Sequence, residues 1–211
     1  MSTSTSFRSV APSGPGVKGA RCKTPSCYPR RRRHSLDFAR VYDHVARLLD
    51  EHAFPHAVVG ALGLHAYGHS RATFDLDLVT VQAASLSLVK ALEGLGYETL
   101  HVSAGYSNHQ HADPDWGGLD VIYVDEETAG LLFPRCSRTL RLGSRDAPVP
   151  RAEHLAAMKV RAMRNDPSRL VQDLADVQHL LRLPETDRAE VRGYFEKAGM
   201  RDWYDRLLAT L

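Results

Sequence analysis

Apolar and polar residues alternate one by one in two stretches of this chain. In RATFDLDLV, residues 71–79, Phe74, Leu76 and Leu78 alternate with Asp75 and Asp77. In LDVIYVD, residues 119–125, Leu119, Val121 and Tyr123 alternate against Asp120, Ile122 and Val124. Period-two alternation predicts strands with one buried face. Longer periods lie between and around them. SLDFARVYDHVARLLDEHA repeats apolar residues at Phe38, Val41, Val45, Leu48 and Leu49, which is helical spacing, with Ser35 as the expected N-cap. HAVVGA reads as a short strand ending in Gly60, and LGLHAYG as a short helix closed by Gly68. ASLSLVKALEGLGY predicts a helix with Leu86, Val89 and Leu92 on its inner face, stopped by Gly96.

ETLHVSA then reads as a strand and GYSNHQHADPDWGG as a polar loop. RTLRLGSRDAPVP has the look of a hairpin, and two helices follow, AEHLAAMKVRAMRN and SRLVQDLADVQHLLR. Pro184 breaks the second, and a last helical segment runs to Leu211. This order of elements predicts an α/β (α+β) chain with a mixed sheet and a C-terminal helical part. The expected organisation is a leader over 1–34, a core over 35–150 and a helical part over 151–211.

Charge separates the leader from the rest. Residues 1–36 hold eight Lys/Arg, including Arg30 to Arg33, and no Asp or Glu; the remainder carries 19 basic and 25 acidic residues. Rich in Ser, Pro, Gly and Arg, the leader cannot bury enough apolar surface to fold, so disorder is expected. Its arginine run would attract polyanions. No apolar run approaches the ~20 residues of a membrane span, and no apolar h-region marks a secretory signal. Cys22, Cys27 and Cys136 make no disulfide framework. A reducing, cytoplasmic setting fits this usage.

The two aspartates of the first alternating stretch raise a chemical question. Asp75 and Asp77 leave one strand on the same side, roughly 6–7 Å apart. Like charges on one face repel, so the face is either simply wet or faces a cation. Asp120 supplies a third carboxylate on another strand, and three such oxygen donors suit Mg²⁺. Gly60 at a strand-to-helix turn lets backbone N–H groups approach a phosphate. In HQHADPD, His109, His111, Asp113 and Asp115 could ligate zinc, but a solvated turn is the expected reading. His65 and His69 are expected to be structural or substrate-facing.

VGALGLHAYGHSRATFDLDLV resembles the signature of the DNA polymerase β-type nucleotidyltransferase superfamily: an apolar residue, Gly, then Gly or Ser, a spacer, and Asp-x-Asp. Arg71 and Thr73 before the aspartates bring it close to the abortive-infection nucleotidyltransferase toxins and the lincosamide and aminoglycoside nucleotidyltransferases. The two later helices resemble the abortive-infection group, with Lys159, Asp173 and Asp176 at matching positions. The likeness covers about residues 50–182.

The resemblance implies a mixed-sheet nucleotidyltransferase core. It implies two Mg²⁺ ions on Asp75, Asp77 and Asp120, with Asp120 nearest the attacking hydroxyl. It implies an NTP bound by Gly60, Ala61, Arg71, Thr73 and Lys159, and an acceptor that is RNA or protein. A cognate antitoxin partner and a toxin–antitoxin or phage-defence setting are implied too. The antibiotic-modifying transferases share the pattern, so a small-molecule acceptor is an alternative, as is a non-catalytic nucleotide- or partner-binding protein. One position departs from the signature: Ala61 stands where the family has Gly or Ser. Its backbone N–H stays usable if its φ is negative.

Overall fold

A computed structural model of the chain describes residues 37–211. The leader, Cys22, Cys27, Arg30 to Arg33 and the expected cap Ser35 lie outside the described residues. Helix α1 (Phe38–Glu51) is instead capped by Asp37, whose carboxylate accepts from Arg40 N at 3.0 Å. A carboxylate at the N-cap suits the unpaired amides of the first turn. Val41, Tyr42, Val45, Ala46 and Leu49 of α1 are buried.

Strand β1 (His56–Val58) leads into the short helix α2 (Gly60–His65), then strand β2 (Asp75–Val81) and helix α3 (Ser85–Gly94). Leu76 and Leu78 of β2 are fully buried, as the alternation requires, but Phe74 falls before the strand and is 75% exposed. In α3 the buried residues are Leu88 and Leu92. Leu86, expected on the inner face, is instead exposed, since it lies two residues from Leu88 and so about 200° around the helix.

Strands β3 (Tyr97–Val102), β4 (Tyr106–His111) and β5 (Gly118–Val124) follow, then helix α4 (Glu126–Leu132), capped by Asp125. Strands β6 (Arg138–Leu142) and β7 (Arg145–Val149) form a separate antiparallel hairpin. Helices α5 (Ala152–Asn165), α6 (Leu170–Arg182), α7 (Arg188–Lys197) and α8 (Arg201–Leu208) complete the chain. The main sheet has the order β1-β2-β5-β4-β3. Only β2 and β5 run parallel; the other pairs are antiparallel. The architecture is therefore α+β, a mixed five-stranded sheet followed by helices. None of the described helices is long and apolar enough to cross a membrane.

Strand β4 overturns the expected loop over residues 105–118. It lies between β5 and β3, pairing with both. Its inward side chains, Ser107 and His109, are polar yet fully buried. They are satisfied by one another and by neighbours: His109 Nε2 with Ser107 Oγ at 2.8 Å, His109 Nδ1 with Thr99 Oγ1 at 3.2 Å, and Ser107 Oγ with Tyr123 OH at 2.8 Å. Hydrogen-bonded polar groups can fill a sheet face that a hydrophobic pattern would leave blank. Burial also holds the His109 imidazole below its ordinary pKa. His109 is thus a buried strand residue and not part of a solvated turn. His111 is engaged at both ring nitrogens, with Leu95 O at 3.2 Å and Asp113 N at 2.9 Å.

Candidate active site

The three aspartates meet because β2 and β5 are parallel neighbours. Asp77 pairs in register with Asp120, and Asp75 with Gly118. Residues at i and i+2 share a sheet face, and register partners on adjacent strands do too. All three carboxylates therefore stand on one face at one end of the sheet. Two glycines make room for them. Gly60 begins α2 with φ +59° and packs directly on the Asp77 carboxylate. A Cβ on Gly118 would lie 2.2 Å from Asp75 Oδ1.

Charge on these groups is mutually unfavourable. Burial pushes Asp77 up to about 6; the Asp120 and Asp75 carboxylates add to the rise, and Lys159 and Arg169 oppose it. Asp75 is also raised, first by burial and then by Asp120. Asp120 is oriented from β4, where the Asn108 amide donates to its Oδ1. Burial and the Asp120 charge push the Tyr106 hydroxyl well up.

This donor set consists of hard carboxylate oxygens whose repulsion a divalent cation would offset. In chemistry the three aspartates thus fit Mg²⁺. Among the described residues, no three His, Cys, Asp or Glu side chains are yet drawn together as a formed metal cage.

The helical part brings a second charged group alongside. Lys159 of α5 is buried, with Nζ 2.8 Å from Asp173 Oδ1 and 2.8 Å from Asp176 Oδ2. Both aspartates project from α6 and are buried, so neither is a solvated helix residue. Asp176 also receives His69 Nε2 at 3.2 Å and the Arg71 guanidinium at 3.5 Å. Asp173 Oδ2 accepts from Arg169 Nε at 3.2 Å. His69 lies against His179, ring centroids 4.6 Å apart, and His179 Nε2 bonds Tyr67 O at 2.9 Å. Buried carboxylates of this kind persist only when paired.

The remaining sequence-derived candidates divide between these two groups. Thr73 serves the start of β2: its hydroxyl donates to Asp75 O at 3.1 Å, and Asp75 N donates back at 3.4 Å. Ala61 sits buried in the first turn of α2, and its φ is negative, since Ala53 is the sole described non-glycine residue with positive φ. Its N–H belongs to a first helical turn, where amides have no intrahelical partner. Arg71 faces Asp176, and Lys159 faces both α6 aspartates. Two residues beside Asp120 carry no hydrophobic signal and were missed: Tyr106 and Asn108. For both, the only available cue is alternation among polar residues in YSNHQH.

The chain has the fold of nucleotidyltransferases. It is similar to the antibiotic-resistance factor ANT(2'')-Ia in solution, with a TM-score of 0.51 and 15% identity over 82% of this chain and 89% of that one. The same factor in complex with adenylyl-2''-tobramycin gives a TM-score of 0.50 at 12% identity, over 82% of this chain and 97% of that one. An antigenic nucleotidyltransferase-like protein from Paracoccidioides brasiliensis gives 0.50 at 16% identity, over 82% and 92%. No family model matches the sequence, and no curated protein matches it. At these identities the likeness is one of fold, and activity has to be argued from the site.

Proposed function

We propose that this protein is a metal-dependent nucleotidyltransferase that moves a nucleotide from an NTP to an acceptor hydroxyl. The observation that carries the reading is the pairing of Asp77 with Asp120 across parallel strands, with Asp75 on the same face and Gly60 packed on Asp77. Asp75, Asp77 and Asp120 would hold two Mg²⁺ ions, which when bound screen the charge on the attacking and leaving oxygens. The amides of Gly60 and Ala61, in the first turn of α2, face incoming phosphate. Lys159, Arg71 and Thr73 hold the surrounding frame and its charge.

In the reaction the acceptor oxygen forms a bond to the α-phosphorus, the bond to the pyrophosphate oxygen breaks, and pyrophosphate leaves. The acceptor proton passes to Asp120, which Asn108 keeps in position. The enzyme contributes placement and charge stabilisation, the usual demands of phosphoryl chemistry. The acceptor we favour is RNA or protein, in the cytoplasm and within a toxin–antitoxin or phage-defence pair. That finer reading rests on the sequence resemblance and the Arg30 to Arg33 run; the likeness to ANT(2'')-Ia keeps a small-molecule acceptor as its rival.

The test is label transfer. With Mg²⁺ and α-labelled NTPs, the full chain should label one of tRNA, itself, a neighbouring-gene product or an aminoglycoside, and release pyrophosphate. Asp77→Asn should abolish transfer with the fold intact. If NTP binds but no acceptor is labelled, and Ala61→Ser restores nothing, the protein binds nucleotide without catalysis. If no NTP binds, the enzyme reading is wrong.

A further inference from the structure

We propose that His101 and Tyr106 form the platform for the acceptor, stacking the base at the unpaired end of a nucleic-acid strand so that its terminal hydroxyl meets Asp120. The inference rests on the nucleotidyl-transfer reading and names the acceptor's class. The register of the sheet carries it. Strand β3 pairs with β4 as Glu98 with Gln110 and Thr99 with His109, then slips, and His101 pairs with Asn108. Leu100 is the extra residue. Without it His101 would oppose Ser107 on the buried side of the sheet. With it His101 joins Asp77, Asp120 and Asn108 in one row across β2, β5, β4 and β3. Within that row the Asn108 amide donates to Asp120 Oδ1. A bulge that re-aims one side chain beside a site is a recurrent use of such irregularities.

Tyr106 stands on the same face, two residues from Asn108 and so diagonal to Asp120, a separation of about 7–8 Å. Its ring centroid lies 6.0 Å from that of His101, with the two planes 34° apart. Together the rings make an aromatic shelf beside the carboxylates. The face is covered at β2, where Val79, two residues from Asp77, is fully buried. It is open at β3 and β4, where Leu100 is 57% exposed and His101 and Gln110 are exposed too. An acceptor therefore reaches Asp120 over these two strands. His109 and His111 are hydrogen-bonded at both ring nitrogens, whereas His101 makes no such bond among the described residues. Neither β3 nor β4 contains a Lys or Arg. The shelf thus suits an uncharged base and sugar, not a phosphate. Aromatic side chains on an open sheet stack unpaired bases in this way. The eight Lys/Arg of residues 1–36 suit the phosphates of a longer strand.

The experiment measures binding of short single-stranded oligonucleotides to full-length wild type, His101→Ala, Tyr106→Leu and Tyr106→Phe in Mg²⁺, by fluorescence anisotropy. RNA and DNA strands of one sequence are used, each ending either in a base or in an abasic sugar. Wild type should bind the base-ended strand about fivefold to a hundredfold more tightly, the size of one stacked base. His101→Ala and Tyr106→Leu should lose most of that preference, and Tyr106→Phe, which keeps the ring, should retain it. NTP binding should be unchanged in all three. A preference on either RNA or DNA supports the platform and identifies the acceptor's sugar. His101 is exposed, so its variant tests the platform even where Tyr106→Leu fails to fold. If wild type binds and transfers NTP but ignores the terminal base, or if both variants keep the preference, the inference fails and the enzyme stands. Labelling of a protein or an aminoglycoside at the wild-type rate by both variants overturns it as well. A wild type that binds no NTP overturns the enzyme reading, and this inference with it.

Discussion

Gly60 and Asp77 contend for one volume: a Cβ on Gly60 would lie 1.9 Å from Asp77 Oδ2 and 2.7 Å from Asp77 Cβ. Glycine is required twice over, by this contact and by its φ of +59°. Gly60→Ala is therefore expected to cost about 1–3 kcal/mol in backbone strain alone. At this chain size each kcal/mol lowers the melting temperature by about 2–4 °C. The carboxylate must also shift, so Mg²⁺-dependent nucleotide transfer should vanish. Thermal melts and label transfer on the purified variant check both. An active Gly60→Ala protein of unchanged stability would show that Asp77 can move freely.

Much of the aspartate face was legible in the sequence because its strands obey simple alternation. Leu119, Val121 and Tyr123 face inward as their spacing requires, which sends Asp120 outward beside Asp77. Strand β4 was illegible for the opposite reason. Its inner face is Ser107 and His109, held by hydrogen bonds, and polar residues in a half-polar stretch read as loop. With β4 missing, its outward residues Tyr106 and Asn108 could not be placed beside Asp120. Lys159, Asp173 and Asp176 were visible as types, but their mutual burial depends on how α5 packs on α6, which spacing along one helix does not encode. The Leu86 face failed because several apolar residues competed within one turn.

The raised Asp77 carboxyl makes the metal-free protein pH-sensitive. Its pKa rises from 3.8 to about 6 on folding, so the folded state holds the proton more tightly than the unfolded chain. By linkage, this group lowers stability as pH rises from about 4 to 6 and then by a constant amount. Asp77→Asn should accordingly melt higher than wild type at pH 8 without metal, and match it near pH 4. Mg²⁺ with NTP should stabilise wild type more at pH 8 than at pH 5, because binding requires the ionised form. Differential scanning fluorimetry at these pH values decides it. A variant no more stable than wild type at pH 8 would mean that the carboxylates do not strain the free fold.

Lys159 neutralises two buried carboxylates at once, and its loss should be felt in stability. Lys159→Met keeps the aliphatic length but strands Asp173 and Asp176, which are 1% and 0% exposed. Breaking a buried ion pair from one side costs about 3–5 kcal/mol. The expected result is a fall in melting temperature of roughly ten degrees. Lys159→Arg should recover part of it. Little change in Lys159→Met would mean that water or the neighbouring Arg71 and His69 already satisfy Asp176.

Asn108 provides the most selective probe of Asp120. Its amide donates to Asp120 Oδ1 from the adjacent antiparallel strand, where the two residues are register partners. Asn108 is only partly buried, so Asn108→Ala should alter stability by about 0.5 kcal/mol or less. Asp120 would lose its orienting bond. Since Asp120 serves the acceptor side, kcat should fall about tenfold while KM for the NTP stays level, the size expected for one charge-assisted bond. Steady-state rates against NTP concentration measure this directly. A rise in KM with kcat unchanged would move Asn108 to the nucleotide side of the site and remove Asp120 from the acceptor side.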